Sequence, residues 1–287
     1  NYSAGSVALT SGTELTIGDG SMTLQNANAH DNDGMFVSKP GAKPEDKATV
    51  AGVNFGTGST AYSSLTLVGS GKIGAITADA AGSGSVTFGA GEGKTGDITV
   101  EGAIGADTKE IGKLVTNGSN VTVASGDVFV QSIDFNGGSF NVAADKKLVL
   151  GAAAAGLAST IDGNLTAGEL TFKANTTGSV DIASNAVVDL GTLTGITGIK
   201  INVGKDGVEN GSATLLADKL VLKEATLKID PAYDQPYASA IAMDLSGTAG
   251  DTLDGHVEVG HNALFAVGFD NKAEVDAVLG SLIKDGH

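Results

Sequence analysis

The fold class this sequence predicts is all-β: a right-handed parallel β-helix, or β-solenoid, closed by a short C-terminal helix. Three observations predict it. Short runs with an apolar residue at every second position fill the middle of the chain, each followed by a break of Gly, Asn, Asp or Ser. The runs are short and restart quickly: in 118–150 the apolar pairs sit at Val121 and Val123, Val128 and Val130, Ile133 and Phe135, Phe140 and Val142, and Leu148 and Leu150. No proline occurs between Pro44 and Pro231, as expected of strands whose N–H groups all join ladders. The alternative is an antiparallel β-sandwich, but its strands are usually longer and its core richer in aromatic rings.

Each element follows from the same pattern. Residues 1–47 read as an N-terminal cap and surface excursion, because 26–47 (NANAHDNDGMFVSKPGAKPEDK) lose the alternation and gain Pro, Lys and Asp. Within it, HDNDG places Asp31 and Asp33 two residues apart, the calcium candidate of the chain, although the EF-hand spacing and its terminal glutamate are missing. Residues 48–230 form the predicted solenoid body, with runs LTLV, SVTF, DITV, NVTV, DVFV, SIDF, SFNV, KLVL, ELTF, SVDI, VVDL, IKIN and KLVLKEATLKI. Breaks such as GSG, NGS, SGD and NGG supply positive φ and self-satisfying Asn and Asp side chains. Runs this short suit turns of about 20 to 25 residues stacked at about 4.8 Å, giving about eight turns and a height of about 40 Å. The alanine-rich 151–159 (GAAAAGLAS) is expected in a loop.

Residues 231–287 read as an acidic C-terminal cap with a helix over 272–285. Asn271 is its expected N-cap, Glu274 the capping-box partner and Gly286 the stop, with an apolar stripe of Val275, Val278, Leu279, Leu282 and Ile283. From Asp230 onward ten acidic residues face two lysines. The segment is expected to cover an open end of the stack, which otherwise exposes unpaired strand edges.

Composition narrows the chemistry. The 287 residues are 41% hydrophobic, enough for a core, yet only 5% aromatic with no tryptophan, which favours a thin interior of medium aliphatics. Cysteine is absent, so disulfides, thiolate metal sites and a cysteine nucleophile are excluded. The net charge is −16 and every basic residue apart from four histidines is lysine. Without arginine there is no bidentate grip on phosphate or guanine, so nucleic acid is not an expected partner. No apolar run is long enough to span a membrane as a helix. The first residue is Asn1 and no signal-like segment follows, so the chain reads as processed or as an excerpt.

Motifs are explained by composition. With 43 glycines, a GxGxxG such as Gly69, Gly71 and Gly74 arises by chance, and a strand-like stretch follows it where a dinucleotide site needs a helix. FGAGEGKTG (88–96) mimics a phosphate loop, but Phe88 stands where the first glycine belongs. His256 and Glu258 share one strand face with His261 beyond, a set that reads as solvent-facing polar side chains, since a metal site would need a further ligand. Asp127 with Asp134, or Asp244 with Asp254, cannot be singled out as a catalytic pair in so acidic a chain. Asn117, Asn120, Asn164, Asn175 and Asn210 begin N-x-S/T triplets, better explained as turn formers.

The irregular x-V-x-V rungs, the Gly/Asn/Asp/Ser corners, the lack of cysteine, the acidic balance and the segment VEVGHNALFAVG (257–268) together resemble the passenger regions of bacterial autotransporters, adhesin-like proteins built on a parallel β-helix. The resemblance covers about 48–265 and implies export, passage through an outer-membrane barrel, and display on a bacterial cell surface or secretion. The family's C-terminal translocator barrel has no counterpart in this sequence, and this stretch is not expected to insert into a membrane. The function expected is non-enzymatic: a rod presenting loops to a host surface, to a glycan or to its own kind, with no cofactor. The alternatives are a carbohydrate-active enzyme on the same fold, and a phage fibre or surface-layer component.

Overall fold

The computed structural model describes most of residues 52–230, apart from 57–58, 60–62, 91–93, 153–155, 184 and 206–212. It also describes 255–260, 263–266 and Glu274, and the backbone of strands Glu14–Ile17, Ser21–Gln25 and Ala240–Ala242. The chain winds into a parallel β-solenoid of about seven turns, one fewer than the spacing estimate. Every pairing between its named strands is parallel, so the antiparallel sandwich is ruled out.

The cross-section has three faces, each a ladder of strands from successive turns. On the first face one inward column runs Val53, Ile76, Ile104, Val128, Leu148, Leu170, Leu193 and Leu220 in register, and the backbone of Leu15 pairs with Val53 above it. From Val53 onward, partners on this column are 20 to 28 residues apart in the chain. The second face stacks Ser21–Gln25, Ser64–Val68, Ser83–Phe88 and Ile111–Asn117, and continues down to His256–Val259. The third stacks Gly71–Ile73, Asp97–Val100 and Asn120–Val123 upon residues of later turns. Stacking therefore extends past 48–230 at both ends, through Ser21–Gln25 on one side and His256–Val259 on the other.

Alternation explains why these residues form these strands. In a strand successive side chains point to opposite faces, so an apolar residue at every second position puts all of them inside. Val121, Val123, Val128 and Val130 are fully buried, and so are Ile133, Leu148, Leu165 and Leu227. Each such burial is worth about 1.5 to 3 kcal/mol. The interior is not purely aliphatic: Phe55, Phe88, Phe135 and Phe140 are buried too. Phe135 stacks on Phe140 at 4.8 Å between centroids, and Phe88 tilts against it at 6.2 Å. Phe135 and Phe140 come from one turn and Phe88 from two rungs above, and their contact fills the interior with ring surface.

Two strands are far longer than the sequence runs: Val128–Val142 and Gly156–Phe172. Each passes from one face to the next without leaving the ladder. Val128–Val142 turns its second corner at Gly137 and Gly138, both at φ +74°. An added Cβ on Gly138 would lie 2.2 Å from the Ser119 carbonyl oxygen of the preceding turn, so this corner needs glycine for its backbone angle and for its closeness to the turn above. Other positive-φ positions are glycines such as Gly82, Gly105 and Gly118, while Asn175, Asn185 and Glu224 adopt it without being glycine, at φ of 64°, 73° and 57°.

Candidate functional site

With the apolar residues inward, the intervening Thr, Asp, Asn, Ser and Lys stand on the outer faces, one above another at the rung spacing of about 4.8 Å. Their chemistry is what the protein offers its surroundings. On the third face Asn120 donates its amide to Asp97 at 3.0 Å, the Ser139 hydroxyl donates to the Asn120 side-chain oxygen at 3.1 Å, and Asn141 donates to Ser139 at 3.3 Å. The Asp97 N–H donates in turn to the Ser70 hydroxyl at 3.0 Å. These bonds join four successive turns.

The second face carries charge. Lys113 pairs with Asp134 at 2.9 Å. Asp181 accepts from Asn202 and from Lys205, both at 2.6 Å. On the first face Thr194 donates to Glu169 at 3.1 Å, and the Lys147 ammonium lies 5.7 Å from the centre of the Phe129 ring, a cation–π contact. Lys228 is held protonated above the usual lysine range by its hydrogen bond to Asp230, and secondarily by the charges of Asp230 and Glu258. Asp189 is shifted the other way for an acid: desolvation, with Asp218 nearby, raises it above the usual carboxylate range.

Among the described residues one charged group lies inside. Glu110 is 2% exposed, at the corner between the first and second faces. Lys173, 63 positions further along the chain, pairs with its carboxylate and also donates to the Asp107 carbonyl at 2.6 Å. The 106–109 segment is a tight turn closed by an antiparallel bridge between Ala106 and Lys109. Lys173 thus ties a corner turn to a rung well down the stack. A buried carboxylate without a cation is costly, so the pairing is what permits Glu110 to sit there. No local pattern signals this tie, since neither residue belongs to a motif.

The residues singled out from the sequence are dispersed. Asp127 accepts the Lys147 N–H at 3.1 Å and serves the ladder, while Asp134 faces out on the second face with Lys113. They hold separate structural partners and do not form a pair aimed at a common point. Asp31, Asp33, Asp244, Asp254, His261 and Asn210 lie outside the described residues, as does the 272–285 helix apart from Glu274. His256 and Glu258 sit 3.4 Å apart, exposed on the last described rung of the second face. Among the described residues no three His, Cys, Asp or Glu side chains gather as metal ligands, and no helix is long and apolar enough to cross a membrane. Gly69, Gly71 and Gly74 lead into the strands Gly71–Ile73 and Ile76–Ala78, and FGAGEGKTG leads into the strand Asp97–Val100, so neither glycine motif opens a helix. Asn120 is engaged in the third-face ladder, and Asn175 is a left-handed corner.

What the described surface offers is a set of parallel polar columns, bonded from rung to rung. Comparison with protein-family models, curated proteins and solved structures finds no match for this chain.

Proposed function

We propose that this protein is a non-enzymatic structural rod of adhesin type, displayed at or secreted from a cell surface, whose sides and corner loops contact a host surface, a glycan or another copy. The observation that carries this reading is the rung-to-rung satisfaction of the outer side chains: Ser70, Asp97, Asn120, Ser139 and Asn141 bond one another across turns, as do Lys113 with Asp134 and Asp181 with Asn202 and Lys205. Groups that bond their neighbours stiffen a scaffold, whereas catalysis needs acid, base or nucleophile converging on one reacting atom. The bacterial autotransporter passenger reading agrees with this architecture, and its export route is part of the proposal.

The test combines light scattering with a glycan array read for both binding and cleavage. Retention on a glycan or host-cell surface, or concentration-dependent self-association, without product release is the expected result. Release of shortened glycan would overturn the non-enzymatic reading in favour of a carbohydrate-active enzyme. A monomer that binds no surface, glycan or copy of itself would overturn the adhesive one.

A further inference from the structure

Three corner residues stack in register on consecutive turns at the end of the second face: Asn117 on Asn136, and Asn136 on Asp162. Each is followed by glycine: Gly118, Gly137 and Gly163. Asn-Gly is the sequence in which the following backbone nitrogen can reach the asparagine side-chain carbon, because no Cβ obstructs it. The two Asn-Gly corners are nonetheless different. The Gly118 N–H donates to the Asn136 carbonyl at 2.9 Å, which occupies the nitrogen that would attack Asn117. Towards the turn above, 117–120 and 136–139 match residue for residue. Towards the turn below, Asn136 pairs with Asp162 while Ser139 pairs with Asn164, so the Gly137–Gly138 segment holds one residue more than its partner and bulges. Asn136 is exposed whereas Asn117 is half-buried. A Cβ placed on Gly137 would meet nothing nearer than the Gly118 Cα at 3.8 Å, so the outer side of the bulge is open, although the Gly137 carbonyl accepts from the Thr116 hydroxyl at 3.1 Å.

We infer that Asn136 is a site of spontaneous, conformation-selected deamidation, favoured over Asn117 by the bulge. The Gly137 backbone nitrogen, losing its proton to solvent hydroxide, attacks the Asn136 Cγ. The Cγ–Nδ2 bond breaks and ammonia leaves with a proton from water, giving a succinimide. Water then opens either carbonyl of the ring, leaving aspartate or, with an extra methylene in the main chain, isoaspartate. Either product puts a new negative charge on the rung next to Asp162, in a chain already at −16. Like charges on directly stacked residues repel, so the corner loosens with age while the buried columns on either side stay intact.

The experiment incubates the full folded chain at mildly alkaline pH and maps peptides over days. Asn117 and Asn136 fall in one lysine-to-lysine peptide, 114–146, so fragmentation within it assigns the mass gain of about one dalton to one residue or the other. Conversion at Asn136 several-fold faster than at Asn117, equalising when the chain is unfolded in denaturant, is the expected result. Asn136→Gln, which would have to close a larger ring, should abolish the fast phase while leaving the circular dichroism spectrum unchanged. Equal rates in the folded chain, faster conversion at Asn117, or no conversion at Asn136 would each overturn the inference. Asn210-Gly211, outside the described residues, falls in a different peptide and does not confuse the reading.

Discussion

At the scale of single residues the structure rests on two demands, an apolar group at each inward position and a permissive backbone at each corner. Gly138 meets the second. Gly138→Ala is expected to cost about 1 to 2 kcal/mol from the left-handed conformation alone, and more because its Cβ would strike the Ser119 oxygen; a denaturant titration would measure it. Asp189 makes a different prediction. Its carboxyl is raised above 3.8 by desolvation and, secondarily, by Asp218. The folded protein therefore holds that proton more tightly than the unfolded chain. The stability linked to it is fully present below 3.8 and is lost as pH rises through the raised value. Asp189→Asn should accordingly raise the midpoint of thermal unfolding at neutral pH and have no such effect below that range. The inward columns were legible in the sequence, because Val121, Val123, Val128 and Val130 announce themselves by alternation. Asp189 was not, since an outward Asp in a period-two run looks like any other until the rungs above and below are in place.

At the scale of elements, most short runs in the sequence became rungs, but SIDF and SFNV proved to be parts of one strand, Val128–Val142. Gly137 and Gly138 look like a break in the sequence because glycine usually ends a strand; here they bend the chain and the ladder resumes beyond them. The Glu110–Lys173 tie was invisible for a related reason: it joins residues far apart in the chain, and no local pattern encodes which turn a corner will fold against. Lys173→Met should leave a buried, uncompensated carboxylate and destabilise the protein by about 3 to 5 kcal/mol. Adding Glu110→Gln to that variant should restore much of the loss, and a double-mutant cycle measures the coupling. If the two losses simply add, the tie contributes nothing as a pair.

At the scale of the whole molecule, stability is a sum of contacts between neighbouring turns, with no single centre. Two consequences follow. The net charge of −16 spreads along a narrow body, so its self-repulsion falls as salt screens it. Thermal stability should increase when ionic strength is raised from about 0.01 M to about 0.15 M, as the screening length shortens from about 30 Å to about 8 Å, a trend that calorimetry would check. The solenoid class and the strand-rich body were legible from period and proline placement. The register that sets which outward side chains meet was not, because one extra or missing corner residue shifts every contact below it.

The first face is not uniform along its length. Between the strands Ile76–Ala78 and Val128–Val142 it narrows to the bridges of Ile104 alone. Backbone hydrogen bonds in a solenoid lie along the long axis, so a load applied at the two ends pulls on them in series, and a series of links fails at its thinnest member. On the first face the links to Ile104 are therefore the ones a stretched molecule should lose first, while the same turn stays held on its other two faces by Ile111–Asn117 and by Asp97–Val100. Hydrogen exchange under rising denaturant should show the Ile104 and Gly105 amides exchanging before those of Leu114 and Val121.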